Sequence, residues 1–207
     1  MTITPVISIL TAASVVSRQR PGTPERERFR ARALAAALPF PARTRRDPSG
    51  RPRLEPAPRG TFDLSCSSTQ GRMVVAVSAG ALVGVDVEHV RREWADDALL
   101  SETLSDEELT LVRGLPDPEL GFFHAWCRKE AVLKGIGVGL LEHPRRVRVM
   151  GHEHDRGWTL TRTSGGVWFV RSFDVGRDVC AVATDRPGAD IRMITLDEET
   201  CPAADPS

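Results

Sequence analysis

The chain has 207 residues, 41% of them hydrophobic, so it is long enough for one domain or two small ones with an ordinary core. Its formal net charge is zero, but residues 1–60 hold 12 arginines against 4 acids, and residues 61–207 hold 16 bases against 24 acids. A neutral chain with a basic first third favours an anionic ligand or an acidic protein partner, and it argues against general nucleic-acid binding.

The first predicted element is a β-strand within the apolar residues 2–16. This stretch has no basic residue ahead of it and is interrupted by Pro5, which argues against a signal peptide. No apolar run is long enough to span a membrane, so we expect no membrane partner. Four scattered cysteines with no CxxC pair indicate neither a disulfide framework nor a structural zinc site, and they predict a reducing, cytoplasmic protein.

A helix is predicted next, with Thr23 as N-cap and Pro24 in the first turn, ending before Pro39. Residues 39–60 carry six prolines and predict a long irregular segment. The runs at 73–79 and 81–90 are typical of strands, and Gly80 between them is a possible joint between two domains. We therefore expect an N-terminal half over residues 1–80, a C-terminal half over 81–190, and a partly disordered tail over 191–207.

Two helices with clear start signals are predicted in the second half. Ser105 followed by Glu108 forms a capping box, and Asp117 before Pro118 starts a longer helix that we expect to stop at Gly135. The remainder is typical of strands, which we predict over residues 145–150, 158–162, 167–173 and 179–185.

The sequence GVDVE places two carboxylates on one face of a strand, because side chains alternate with a period of two. Asp86 and Glu88 would repel each other unless a cation lay between them. With Glu130 on a helix as a third ligand, this set suits Mg²⁺, which takes few protein carboxylates and completes its shell with substrate phosphate. The alternative is the solvated face of an edge strand.

The only two lysines of the chain, Lys129 and Lys134, flank Glu130, whereas 26 positive charges elsewhere are arginine. Such a placement indicates a site that needs a compact ammonium group. The alternative is an ordinary surface salt bridge, because Glu130 and Lys134 are spaced i, i+4 on a helix.

Taken together, the pattern G-[VI]-D-[VI]-E followed about 40 residues later by W-x-x-K-E-A-x-x-K resembles the 4'-phosphopantetheinyl transferases that activate nonribosomal peptide and polyketide synthases. Residues 49–52 (SGRP) resemble the Gly-Lys-Pro element of that family, and residues 62–68 (FDLSCSS) resemble its N-[IVL]-S-H-S segment. The matching residues of the main pattern are Gly84, Asp86, Glu88, Trp126, Lys129, Glu130, Ala131 and Lys134.

The resemblance implies an α+β fold of two similar halves related by a pseudo-twofold axis, with coenzyme A bound in the cleft between them, and a monomer. It implies transfer of phosphopantetheine to a serine of an acyl or peptidyl carrier protein, with release of 3',5'-ADP. Mg²⁺ would be held by Asp86, Glu88 and Glu130, and catalysis would involve Glu130, Lys134 and Lys129. The residues implied for coenzyme A are Arg32, Arg51, Pro52, Ser65, Cys66, Ser67, Asp86 and Lys134.

Two positions depart from the family pattern. Cys66 stands where the family has a histidine that contacts the 3'-phosphate of coenzyme A, and Arg51 replaces the usual lysine of the Gly-Lys-Pro element. A thiol offers neither the donor nor the charge of a histidine. Two alternatives therefore stay open: a non-catalytic binder of coenzyme A or of a carrier protein, and a Mg²⁺-dependent phosphohydrolase.

Overall fold

The protein has a mixed α+β architecture in which two four-stranded sheets lie between helices. The computed structural model describes residues 4–13, 23–48, 50–55, 62–91, 97–137, 142–151 and 157–196. Its helices are α1 (Pro24–Ala37), α2 (Asp97–Thr103), α3 (Asp106–Arg113), α4 (Pro118–Ile136) and a short 3-10 helix (Pro144–Arg146). Its strands are β1 (Val6–Ala13), β2 (Arg43–Arg46), β3 (Pro52–Glu55), β4 (Phe62–Thr69), β5 (Arg72–Ala79), β6 (Val83–His89), β7 (Thr159–Thr163), β8 (Gly166–Val175), β9 (Asp178–Thr184) and β10 (Asp190–Thr195).

The two halves of the chain repeat one topology. The first sheet has the order β10-β1-β5-β4 and the second the order β6-β9-β8-β7. In each half a strand is followed by a helix and then by an antiparallel hairpin whose last strand pairs with the first strand: β1, α1, β4, β5 and then β6, α4, β8, β9. The predicted α+β fold of two similar halves is thus confirmed.

Three apolar layers hold these elements together. One lies between α1 and the first sheet, one between the two sheets, and one between the second sheet and α4. Each sheet is therefore buried on both faces, which explains the nearly continuous apolar runs of β5 and β9. None of the helices in the described ranges is long and apolar enough to cross a membrane.

The two halves meet along the edge strands β4 and β6. Alternate side chains of β4 reach across and accept hydrogen bonds from backbone N–H groups of β6, which would otherwise be unpaired at a sheet edge. The pairs are Asp63 Oδ2 with the N–H of Val83 at 2.9 Å, Ser65 Oγ with that of Val85 at 3.1 Å, and Thr69 Oγ1 with that of His89 at 3.1 Å.

Several predicted elements are confirmed, and others are wrong. The capping box forms at Ser105 and Glu108, and Asp117 caps α4 as expected. Residues 39–60, predicted to be irregular, contain the hairpin of β2 and β3, and α2 was not predicted. Helix α4 passes Gly135 and ends at Ile136, because Gly137 takes the left-handed conformation (φ 77°) of a C-cap.

Two further differences concern strands. Residues 145–150 were predicted to form a strand, but the segment begins in the 3-10 helix and residues 147–150 are not in a strand. Buried and exposed side chains do alternate here, because Val147 and Val149 are fully buried and Arg146 and Arg148 are exposed. At the other end, β10 pairs in parallel with β1 in the first sheet, so residues 190–195 belong to the packed fold and not to a tail. Residues 197–207 of the predicted tail lie outside the described residues.

Helix α4 lies directly against the backbone of β6 at two glycines. A Cβ atom at Gly84 would lie 1.9 Å from the carbonyl oxygen of Ala131 and 2.5 Å from the amide nitrogen of Gly135. A Cβ atom at Gly135 would lie 2.4 Å from the Trp168 ring. Only glycine permits this approach, which brings the side chains of α4 beside those that follow Gly84 on β6.

Gly84→Ala is expected to destabilise the protein by at least about 1–3 kcal/mol, the usual cost of an added methyl group in a packed core. The upper part of that range is expected because the clashing atoms are backbone atoms of a long helix. Urea unfolding measures the change. Gly114→Ala is the matched control, because its Cβ would meet nothing closer than 3.5 Å. An equal, small effect at both positions would contradict the close packing.

Candidate active site

The face of β6 that α4 covers carries the GVDVE carboxylates. Gly84 contacts α4 directly, and Asp86 and Glu88 follow at alternate positions on the same face. Helix α4 contributes Glu130 and Lys134, which stand one turn apart. The close approach at Gly84 therefore brings together the two motifs that lie about 40 residues apart in the sequence.

Asp86 is the most deeply buried member of this cluster, with 2% of its surface exposed. Its Oδ1 atom accepts hydrogen bonds from the Lys134 ammonium group and from Ser67 Oγ, the latter at 2.8 Å. Lys134 also donates to Ser67 Oγ at 2.9 Å. Burial alone would lower the pKa of Lys134, but the charges of Asp86, Glu130 and Glu88 outweigh it and raise the pKa above its ordinary value. Lys134 is thus held as a cation.

The two glutamates of the cluster are costly to ionise. Burial, and next the charge of Asp86, raise the pKa of Glu130 above its ordinary value, and Lys134 opposes this only in part. Burial and Asp86 also raise the pKa of Glu88, although a hydrogen bond from Trp126 counteracts them. The cluster therefore has negative charge that Lys134 alone does not compensate.

These residues fit a divalent cation by their chemistry. Asp86 Oδ2 is buried and has no hydrogen-bond partner among the described residues, and the neighbouring carboxylates repel one another. Carboxylate oxygens are the ligands that Mg²⁺ prefers. Among the described residues, however, no three His, Cys, Asp or Glu side chains already stand in an arrangement that would hold a metal ion. The predicted site at Asp86, Glu88 and Glu130 therefore stays a prediction.

A cavity of about 690 Å³ opens beside this cluster, between the two halves of the chain. Of the residues that the sequence predicts for coenzyme A or catalysis, six line its wall: Arg51, Pro52, Ser65, Cys66, Glu130 and Lys134. Sequence reasoning missed other lining residues, which include Leu133, His143, Pro144 and Arg146. The two arginines of the run at 143–146 were the available signal, because they add positive charge, and Arg146 lines the same cavity as Lys134.

Arg51 lines the cavity, but its guanidinium group is committed to protein partners. It donates to Asp63 Oδ2 at 2.6 Å, to the carbonyl oxygen of Val83 at 3.1 Å and to that of Gly135. One side chain thus joins β4, β6 and the end of α4, which a rigid five-donor fork does better than an ammonium group. Arg51 therefore holds the two halves together through hydrogen bonds to both of them.

Of the other residues predicted to contact coenzyme A, Cys66 lines the cavity, whereas Ser67 and Arg32 do not. Cys66 lies in the cavity wall, where burial raises the pKa of its thiol and Arg30 opposes this shift. Ser67 lies behind the wall, bonded to Lys134 and Asp86. Arg32, on α1, is not among the residues that line the cavity. Three of the cysteines, Cys66, Cys127 and Cys180, are free thiols.

The structure does not bring Lys129 to the carboxylate cluster. Its side chain is fully buried, and its ammonium group donates to Glu108 Oε2 at 2.6 Å and to the carbonyl oxygens of Pro144 and Val147 at 3.1 and 2.6 Å. Burial lowers the pKa of Lys129, and Glu108 opposes this shift. Lys129 therefore ties α3 and the segment that follows the 3-10 helix to α4.

Glu130→Gln is expected to raise the thermal midpoint of the protein at pH 7. Because the pKa of Glu130 is raised in the folded state, its contribution to stability is full below its unfolded pKa and is lost as the pH rises through the folded pKa. At pH 7 the carboxylate thus costs stability that glutamine does not, and relief of about 1 kcal/mol corresponds to about 2–4 °C.

Thermal unfolding at pH 7 and pH 4 measures this effect, and the difference from wild type should shrink at pH 4. Added Mg²⁺ should raise the midpoint of the wild type and have little effect on the variant. Glu102→Gln, at an exposed position of α2, is the control. A lower midpoint for Glu130→Gln at pH 7 would contradict the described electrostatics.

Comparisons with known proteins find one family model and solved structures that are similar to this chain. Residues 82–184 match the model of the 4'-phosphopantetheinyl transferase superfamily, and this range contains β6, α4 and all three carboxylates. No curated protein matches the chain. A similar solved structure is the holo-[acyl-carrier-protein] synthase (AcpS) of Thermotoga maritima, with 20% sequence identity and a TM-score of 0.41. The match covers 50% of this chain and 62% of the synthase chain.

The range matched by the superfamily model runs from the turn before β6 to the end of β9, so it comprises nearly the whole second half of the fold. It includes the two motifs that α4 and β6 bring into contact at Gly84. Over residues 82–184, the chain is thus similar to the 4'-phosphopantetheinyl transferase superfamily.

Proposed function

We propose that this protein transfers the phosphopantetheine arm of coenzyme A to a serine of an acyl or peptidyl carrier protein. The observation that carries the proposal is the 690 Å³ cavity between the halves, whose wall presents Lys134 and Glu130. A cavity of this size suits a ligand as large as a nucleotide. The cation and the carboxylate on its wall suit phosphoryl transfer, which depends on positioning and on charge neutralisation.

In this proposal the reaction is a single substitution at phosphorus. The serine hydroxyl oxygen forms a bond to the phosphorus that bears the pantetheine arm, and the bond from that phosphorus to the bridging oxygen of the diphosphate breaks. 3',5'-ADP leaves with the bonding electron pair. The serine proton passes to Glu130, directly or through a water molecule, and a raised pKa makes this carboxylate a better base than an ordinary glutamate.

Lys134 provides the fixed positive charge for the diphosphate, and Asp86 and Ser67 hold its ammonium group in place. Mg²⁺, held by Asp86, Glu88 and Glu130, would supply further charge neutralisation when bound. We propose that Lys129 is a positioning residue. Its hydrogen bonds to the carbonyl oxygens of Pro144 and Val147 fix the segment 143–147, from which His143, Pro144 and Arg146 line the cavity.

We further propose that the carriers belong to polyketide or nonribosomal peptide synthases, as the motif pattern implies, and that the protein is a monomer. The hydrogen bonds between β4 and β6 support a monomer, because each half covers the exposed sheet edge of the other within one chain. Light scattering after gel filtration tests this, and a stable dimer would contradict it.

Release of 3',5'-ADP from coenzyme A, followed by chromatography, distinguishes the candidate activities. We expect release only with an apo carrier protein present, and none with a carrier whose acceptor serine is alanine. Release without any carrier would indicate a phosphohydrolase. Binding of coenzyme A without release in any mixture would indicate a non-catalytic binder, the alternative suggested by Cys66 in the cavity wall.

A further inference from the structure

A second, smaller concavity lies beside the main cavity. It measures about 360 Å³ and is formed between β7 and the segment that follows the 3-10 helix. Three of its five lining residues are arginines and none is acidic: Arg146, Arg148, Leu160, Thr161 and Arg162. Arg146 also lines the main cavity, so the two spaces are neighbours with one shared wall residue.

The positive charge of this concavity is poorly compensated. Arg148 pairs with Glu107 at 2.7 Å, but both side chains are exposed, and such pairs contribute little. Arg146 and Arg162 are exposed, and the guanidinium group of neither has an ion-pair or hydrogen-bond partner in the described part of the chain. Two guanidinium groups, each with five donors, are therefore available beside one another.

A second observation, independent of the charge, comes from Thr161. Its side chain lines the concavity and is 2% exposed, and its Oγ1 atom has no hydrogen-bond partner among the described residues. A buried hydroxyl without a partner is costly, because it has lost its hydrogen bonds to water. The neighbouring Thr159, on the same face of β7, does have one, because Arg128 donates to its hydroxyl oxygen at 3.3 Å. Of these two threonines, only Thr161 has a hydroxyl with an unmet hydrogen bond.

We propose that this concavity is a binding site for an oxyanion of the phosphate class. The forked guanidinium groups of Arg146 and Arg162 match the geometry of such an anion, Arg148 adds charge, and the Thr161 hydroxyl donates a further hydrogen bond. The anion is either free phosphate or a phosphate group of a ligand that extends from the main cavity past Arg146. Neither source requires the transfer reaction, so the site does not depend on the proposed function.

The test is a titration of the full chain with inorganic phosphate at low salt, followed by the backbone amide NMR signals of residues 160–162. Phosphate that enters the main cavity would not shift these signals by itself, so they report on the smaller site. Arg162→Gln and Thr161→Val each remove a proposed contact without touching a residue that lines the main cavity. Arg171→Gln, at an exposed arginine on β8 outside the concavity, is the matched control.

We expect saturable binding that is weakened about tenfold or more by Arg162→Gln, the loss of one charged hydrogen bond. A smaller weakening is expected for Thr161→Val, and a change of less than twofold for Arg171→Gln. Repeating the titration with saturating coenzyme A separates the two sources of the anion. Loss of phosphate binding would indicate a ligand phosphate, and unchanged binding would indicate a site for the free anion.

Three results would overturn the proposal: no saturable shift at residues 160–162, equal binding in wild type and Arg162→Gln, or an equal loss with Arg171→Gln. The last would mean that phosphate responds only to the general positive charge of the surface. The titration measures phosphate binding and not transfer, so a negative result here can be distinguished from a failure of carrier modification.

Discussion

Asp86→Asn is expected to lower the rate of carrier modification by about 10²–10³-fold, a loss of the size seen when one preorganised electrostatic contact is removed. Asparagine keeps the shape of the side chain but removes its charge. Lys134 then loses the carboxylate that holds its ammonium group, and the unpartnered Oδ2 atom is no longer available to a divalent cation. The fold should persist, because the substitution is nearly isosteric.

The measurement is the initial rate at which an apo carrier protein gains phosphopantetheine, with circular dichroism and the thermal midpoint as checks of folding. Asp97→Asn is the matched control, since that aspartate is 88% exposed and is paired with Arg113 on the surface. We expect this control to retain the wild-type rate. A rate within tenfold of wild type for Asp86→Asn would contradict the assignment of Asp86 to the site.

Lys129→Met is expected to lower the free energy of unfolding by about 3–5 kcal/mol, the usual cost of removing one partner of a buried ion pair. The substitution leaves the Glu108 carboxylate, 2% exposed, without its cation. It also removes the Lys129 donor from the carbonyl oxygen of Val147, whereas that of Pro144 still accepts a hydrogen bond from the N–H of Val147. Backbone bonds from Ser105 and Val149 to Glu108 remain and limit the loss.

Urea unfolding measures this change, and a constant dependence on urea would show that the surface exposed on unfolding is unaltered. The matched control is Arg113→Met, which removes the cation of an exposed pair and should cost at most about 1 kcal/mol. A cost below about 1 kcal/mol for Lys129→Met would mean that this ammonium group does not hold the fold as described.

The two lysines illustrate what the sequence could and could not predict. Their spacing around Glu130 predicted one common site, and Lys134 does lie beside Asp86. Residues five apart on a helix, however, point about 140° away from each other, because each residue turns the helix by about 100°. Lys129 therefore faces Glu108 on α3, a contact that no local pattern could indicate.

Glu108, the partner of Lys129, also shows that the sequence predicts local contacts but not tertiary ones. The capping box correctly predicted the start of α3, because both of its hydrogen bonds are local. The sequence did not show that this carboxylate also binds Lys129 and the amide of Val149. These tertiary contacts explain why residues 145–150 alternate like a strand without forming one. The carbonyl oxygen of Val147 bonds to Lys129 and not to a neighbouring strand.

Strand β10 was missed for a different reason. Most of its residues are exposed, so it has no apolar period to read, and it is held by backbone pairing with β1. The sequence also did not predict that α4 packs directly on β6, although Gly84 was part of the recognised motif. Its role as the point of closest approach follows only from the position of Ala131 and Gly135 across from it.

The central claim, that the cavity between the halves serves transfer of phosphopantetheine, is tested most directly by intact-mass spectrometry. An apo carrier protein is incubated with this protein, coenzyme A and Mg²⁺, and a parallel sample contains EDTA. The account predicts that the carrier gains the mass of one phosphopantetheine group and that EDTA prevents the gain. An unchanged carrier mass across acyl and peptidyl carrier proteins, with coenzyme A still bound, would contradict it.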